Sequence, residues 1–247
     1  MATTFDLSGK SILITGAARG LGRALAIGAA RAGALVAAFD LDASLLAELR
    51  ASPSITPYVV DVVDRAAFMA AAARIGRIDA VVNNAMLIRY DAIEAVDEAI
   101  LDRMLAIGIK GAVWGVQALL RHMDPAVGGV VLNLASPTAE RGFPTTAVYS
   151  MVKGAMGTLT RTLAAELGPR RVRVNALAPG SIPTPGAVAI TPTSASAHHW
   201  GHGWGHGGFG IGLGVGLATT AIIANSCTRR MVVDTPLGPA VRWVNVC

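Results

Sequence analysis

Short apolar runs alternate along this chain with longer stretches in which apolar positions recur every three or four residues, patterns of buried strands and of one-sided helices respectively. The runs at 11–15, 35–40, 58–60, 80–82, 130–134 and 172–177 predict six strands, and the stretches 21–32, 43–50, 65–74, 98–122 (with an interruption) and 149–167 predict the helices between them. Strands separated by helices need crossover connections, which are right-handed, so the expected fold is α/β with a doubly wound parallel sheet. Ligands bind such sheets beyond the carboxyl ends of the strands, which is where chemistry is to be sought.

The alternation stops near residue 184. Pro183, Pro185 and Pro192 interrupt the chain, and nine of the sixteen residues from 201 to 216 are glycine, a low-complexity composition. Residues 217–247 hold an apolar patch, Arg229-Arg230 and Val232-Val233 without a helical period, so little regular structure is expected there. Two parts follow: a domain over 1–190 and a glycine- and histidine-rich tail over 191–247.

Composition narrows the function classes. With 247 residues, 53% hydrophobic and 15% charged, the chain can bury one sizeable core and is not a disordered sequence. Its net charge of +5 comes from scattered arginines, and only 5% of residues are aromatic, so neither a basic stripe nor a stacking platform for nucleic acid is present. Residues 1–16 have no basic stretch followed by a long apolar one, and the cytoplasm is the expected location. Cys227 and Cys247 make neither a disulfide framework nor a metal motif. The apolar stretch 209–224 is short for a membrane span and has glycine at every second position up to Gly216, so no membrane partner is expected.

Tyr149 and Lys153 stand four residues apart, and on a helix both project from one face, a turn apart. A phenol titrates near pH 10, so it serves as an acid or base near neutrality only if a fixed cation stabilises its phenolate. Three tyrosines and three lysines in 247 residues leave roughly 0.04 such pairs expected by chance at this spacing. Ser136 lies thirteen residues upstream of the tyrosine, at the end of the fifth apolar run, where a strand delivers its hydroxyl to the edge of the sheet. Taken alone it reads better as a turn serine at a strand end.

The stretch Thr15-Gly16-Ala17-Ala18-Arg19-Gly20-Leu21-Gly22 follows the first strand and opens the first helix. That context turns a glycine pattern into a nucleotide site: Gly16 permits the tight turn, Gly20 lets a pyrophosphate approach the backbone, and Gly22 lets helix and strand pack closely. Asp40 ends the second strand, where a carboxylate accepts the hydroxyls of an adenosine ribose and repels a 2′-phosphate, favouring NAD over NADP; as a turn or helix-capping residue it would do neither. Arg19 pulls towards a 2′-phosphate. Asp61 ends the third strand, either reaching an adenine amino group or standing as a solvated strand-end carboxylate, and Val62 beside it completes the candidate set.

Over roughly residues 7–184 these features resemble the short-chain dehydrogenase/reductase family. The glycine turn, Asn83-Asn84-Ala85, Ser136, Tyr149-x-x-x-Lys153 and Asn175-x-x-x-Pro179-Gly180 come in the family's order and spacing. The resemblance implies a Rossmann-like fold, an NAD cofactor with NADP disfavoured, and a small-molecule alcohol or ketone as substrate. It implies that Tyr149 is the acid or base at the substrate oxygen, that Ser136 hydrogen-bonds the same oxygen, and that Lys153 lowers the tyrosine pKa and holds the nicotinamide ribose. It further implies that Asn84 and Ala85 lie beside the adenosine ribose, and that Pro179, Gly180 and Thr184 lie beside the nicotinamide. A dimer or tetramer through the long helices is also within the family's habit.

The sequence departs from the family in three places. Gly108 stands where an asparagine commonly positions a relay water, and Met86 stands where a glycine usually follows Asn-Asn-Ala. Beyond Gly180 the usual lid helices and last parallel strand are not recognisable, and His198, His199, His202 and His206 occur among glycines instead. Although His202 and His206 have helical ligand spacing, the intervening glycines disfavour that helix, and no metal site is expected. The alternative to an alcohol or ketone oxidoreductase is a nucleotide-binding protein of the same fold whose chemistry is impaired because the lid and last strand are missing.

Overall fold

The computed structural model describes residues 5–180 and 182, together with the backbone of three strands in the C-terminal part. In chain order the elements are β1 (Ser11–Thr15), α1 (Gly20–Arg31), β2 (Leu35–Asp40), α2 (Ala43–Glu48), β3 (Ile55–Val59), α3 (Arg65–Ile75), β4 (Ala80–Asn83), α4 (Glu98–Leu105), α5 (Gly111–His122), β5 (Gly129–Leu134), α6 (Ala147–Leu167), β6 (Val172–Ala178), β7 (Ile222–Ala224), β8 (Thr228–Thr235) and β9 (Gly238–Asn245). Strands β1 to β6 are mutually parallel in the order β3-β2-β1-β4-β5-β6. The direction of winding reverses between β1 and β4, and this switch point opens the crevice in which an open α/β sheet binds its ligand.

Both faces of the inner strands are covered, which is why β1, β2 and β4 read as nearly continuous apolar runs. Successive side chains point to opposite faces, and the core divides accordingly. Leu13, Ala37 and Phe39 join Phe68, Val116, Leu119 and Leu167 on one side. Ile12, Ile14, Val36 and Ala38 join Ala26, Leu46 and Leu49 on the other. Three helices begin on aspartate caps: Asp42 accepts from Leu45 N, Asp64 from Ala67 N and Asp97 from Ile100 N. Each such cap contributes about 1 kcal/mol.

The third strand begins earlier than the apolar run 58–60 suggested, at Ile55, and includes Pro57. Proline cannot donate to a ladder and is confined to positions such as an edge strand, which β3 is. The expected interruption of 98–122 is a π-helical segment, Ala106–Lys110, between α4 and α5. Within 217–247, where little regular structure was expected, the backbone forms β7, antiparallel to β6, and a β8–β9 hairpin.

Candidate active site

The glycine turn sits at the switch point, and its three glycines are needed for two different reasons. Gly16 and Gly20 have φ of 66° and 54°, the left-handed region that side chains disfavour. A Cβ on Gly22 would overlap the backbone oxygen of Gly16, so only glycine lets α1 start this close to β1. Asn84 locks the turn from the neighbouring strand end, its Nδ2 donating to Thr15 O at 2.9 Å and to Gly16 O at 3.0 Å. Thr15 Oγ1 in turn accepts from Asn84 N and Ala85 N at 3.0 and 3.1 Å. The ends of β1 and β4 are thereby held as one unit under the start of α1. Leu21 belongs to the first turn of that helix, whose leading amides have no partner within the helix and suit an anion.

Asp40 closes β2 with both carboxylate oxygens engaged: Oδ2 accepts from Ala18 N at 2.9 Å and Oδ1 from Asp42 N at 3.1 Å. Each oxygen keeps a further lone pair, so the carboxylate can still take ribose hydroxyls. Asp61 accepts from Val63 N at 3.0 Å and is paired with Arg103 of α4 at 2.9 Å, with Val62 buried beside it. The glycine turn, the carboxylate at the end of β2 and the orphan amides of α1 form a set whose donors, acceptors and backbone clearance fit a dinucleotide.

On the other side of the crevice, β5 runs out at Leu134 and Ser136 follows in extended conformation, opposite the first turns of α6 that carry Tyr149 and Lys153. Ser136 Oγ accepts from Thr138 Oγ1 at 3.0 Å and from Thr138 N at 3.3 Å. With its lone pairs taken, the serine has its own proton left to donate. Burial raises the Tyr149 pKa above the ordinary phenol value, and the Ser136 hydroxyl opposes that rise. Lys153 is buried, its Nζ 5.7 Å from the Tyr149 ring centroid and donating to Leu134 O at 2.6 Å. Burial lowers its pKa to about 8. In the protein alone, desolvation therefore favours the neutral form of both members of the pair.

Two residues that sequence reasoning missed join this cluster. Thr138 follows Ser136 by two, a spacing that carried no signal until the backbone turned there. Tyr90, in the loop after β4, meets Tyr149 edge to face at 5.6 Å between centroids. Burial and the neighbouring phenol push the Tyr90 pKa up to about 12, so it stays protonated.

The two departures near the site are structurally one. Gly108 is buried in the π-helical segment, where a Cβ would overlap Val152 Cγ1 and lie 3.2 Å from Met86 Sδ. Met86 and Val152 thus occupy the space that a side chain at 108 would need. Beside them is a cavity of about 10 Å³ lined by residues including Thr15, Asn83, Gly108 and Lys153, close to the smallest that admits one water. Below it a buried polar ladder ties the carrier helix to the sheet: Asn83 Nδ2 donates to Asn133 Oδ1 at 2.8 Å, and Asn133 Nδ2 to Thr160 Oγ1 at 2.9 Å.

Pro179 and Gly180 follow directly on β6, at the same end of the sheet as the other candidates. Thr184 and the four histidines from His198 to His206 lie outside the described residues. Among the described residues no group of three or more His, Cys, Asp or Glu comes together to hold a metal ion. No helix among them is long and apolar enough to cross a membrane.

Comparison with known proteins agrees with this fold. The short chain dehydrogenase family matches residues 10–195. A 2-keto-3-deoxy-L-fuconate dehydrogenase of Xanthomonas campestris pv. campestris is 37% identical over 181 residues, covering 72% of this chain and 60% of that protein. The L-xylulose reductase of Bos taurus is 33% identical, with 72% and 74% covered. Among solved structures, a 3-ketoacyl-(acyl-carrier-protein) reductase from Brucella melitensis complexed with NADH superposes with a TM-score of 0.69 at 30% identity, covering 74% of this chain and 80% of that one. The fold is thus that of an NAD(P)-dependent oxidoreductase with a Rossmann-like sheet. The chain belongs to the short-chain dehydrogenase/reductase family, whose members act on CH–OH groups.

Proposed function

We propose that this chain is an NAD-dependent oxidoreductase that interconverts a small-molecule alcohol and its ketone. The observation that carries the reading is the meeting of Ser136, Tyr149 and Lys153 at the carboxyl edge of the sheet, across the crevice from the glycine turn. Gly16, Gly20, Leu21 and Gly22 would surround the pyrophosphate, Arg19 would lie on the side of the adenosine ribose, and Asp40 would take that ribose. Asp61 and Val62 would lie at the adenine, Asn84 and Ala85 beside the ribose, and Pro179, Gly180 and Thr184 at the nicotinamide. When bound, that ring supplies the hydride donor or acceptor.

Tyr149 exchanges a proton with the substrate oxygen as charge develops on it, and Ser136, with its proton left to donate, hydrogen-bonds the same oxygen. Lys153 supplies the positive field that makes a phenolate accessible, and it is also the residue to hold the nicotinamide ribose. The preference for NAD rests on Asp40, whose fixed carboxylate repels a 2′-phosphate. Because burial raises the Tyr149 pKa, the phenol is protonated at neutral pH. It is then ready to donate to a ketone, whereas alcohol oxidation, which needs the phenolate, should accelerate as pH rises.

The test is a panel of alcohols and ketones assayed by NADH absorbance, with Tyr149→Phe alongside. The substitution should leave NADH affinity nearly intact and lower turnover at least about a hundredfold, within the range of a lost general acid. A variant keeping a tenth of the activity would remove Tyr149 from the role. NADH binding with no turnover of any compound would favour a nucleotide-binding protein instead.

A further inference from the structure

Arg19 lies in the glycine turn, one residue before Gly20, and its Nη2 donates to Asp42 Oδ2 at 2.7 Å. Asp42 stands two residues beyond Asp40, so the ion pair reaches from the turn after β1 to the loop after β2. In a sheet of this winding, the adenosine ribose is read at that place. The two oxygens of Asp42 have separate duties. Oδ1 accepts from Leu45 N at 3.1 Å and from Ser44 Oγ at 2.7 Å, capping α2, while Oδ2 faces the guanidinium. The cap holds the carboxylate in place, so the pair forms without ordering two mobile side chains at once. Asp40 is tied into the same cluster, accepting from Ala18 N next to Arg19 and from Asp42 N.

A free arginine in a phosphate-binding turn attracts a 2′-phosphate and would work against Asp40. Here its charge is offset and one of its donors is already used. We propose that Asp42 is a specificity-determining residue that keeps the chain NAD-selective by holding Arg19 in an ion pair, so that Asp40 repels a 2′-phosphate without an opposing cation. This rests on the NAD reading above and deepens it: exclusion is divided between a carboxylate that repels and a carboxylate that withholds a partner.

Asp42→Asn isolates the effect, since asparagine caps a helix as well as aspartate does, and its amide cannot replace the carboxylate opposite Arg19. Calorimetric titration of NADH and NADPH into the full chain reads the outcome without knowledge of the substrate. NADPH affinity should rise about three- to fivefold in Asp42→Asn, the scale of an exposed ion pair, with NADH affinity changed less than about twofold. The gain should shrink in roughly 0.5 M salt. In the Arg19→Ala background the same Asp42→Asn substitution should bring no gain. An equal gain with and without Arg19 would overturn the proposal, as would no gain at all, whichever cofactor the wild type prefers. A wild type that binds NADPH as tightly as NADH would instead overturn the assignment of Asp40.

Discussion

Lys153 is buried, held by one carbonyl, and lines a small cavity together with Val152, Met156 and Leu134, so its ammonium has lost most of its hydration and gained a single hydrogen bond. The fall of its pKa from 10.5 to about 8 corresponds to roughly 3 kcal/mol of destabilisation at pH 7. Between those two values the unfolded chain binds the proton and the folded one does not. The cost is therefore complete below about pH 8 and is lost as pH rises towards 10.5. Lys153→Met should abolish turnover yet raise Tm at pH 7 by roughly 2–5 °C, the unpartnered Leu134 carbonyl taking back part of the gain. The difference from wild type should narrow when the melts are repeated at pH 9.5; a constant difference would mean that burial of this charge is not what the fold bears. The Tyr149–Lys153 spacing was legible in the sequence because helical periodicity alone puts the two on one face. The Leu134 contact was not, because it depends on how closely α6 approaches the end of β5.

At the scale of elements, the helix before the site shows how a departure in sequence is absorbed by packing. Glycine at 108 lies in a π-helical segment, and Val152 of α6 fills the volume above it while Met86 closes the side. Restoring the asparagine common in the family is therefore not a local change. Gly108→Asn should cost about 1–3 kcal/mol by overpacking, and Val152→Ala in the same chain should recover at least half of that loss. Chemical denaturation of the two single variants and the double variant measures this, and a Gly108→Asn protein within about 0.5 kcal/mol of wild type would show that the segment yields freely. Sequence reading placed an interruption in 98–122 and named both odd residues, but it read Met86 and Gly108 separately. Their dependence on Val152 is a contact between the loop after β4, the π-helical segment and α6 that no spacing encodes. The ladder from Asn83 through Asn133 to Thr160 was equally hidden, since a polar residue inside an apolar run signals burial only once its partner is known.

The whole molecule gathers its candidate site from chain positions far apart: Gly16 and Asp40 on one side of the switch point, Asn84 beside it, and Ser136, Tyr149 and Lys153 beyond. The six parallel strands were legible because each carries a short apolar run between helical stretches, and with them the crevice where these positions meet. Residues 201–216 carried no such signal, because glycine at alternate positions erases both the helical and the strand period. A ligand spanning the crevice joins β1, β2, β4 and α6 and cannot bind once any of them detaches, so it should stabilise the domain as a unit. At a hundred times its Kd, NADH should add about 2.7 kcal/mol, or roughly 5–10 °C in Tm for a chain of this size. NADPH at the same concentration should add clearly less if Asp40 takes the adenosine ribose as proposed, since its carboxylate would repel the extra phosphate. A thermal shift titration with both nucleotides decides this without a substrate. An equal or larger shift with NADPH would reverse the cofactor assignment, and no shift with either at millimolar concentration would count against the crevice as a dinucleotide site.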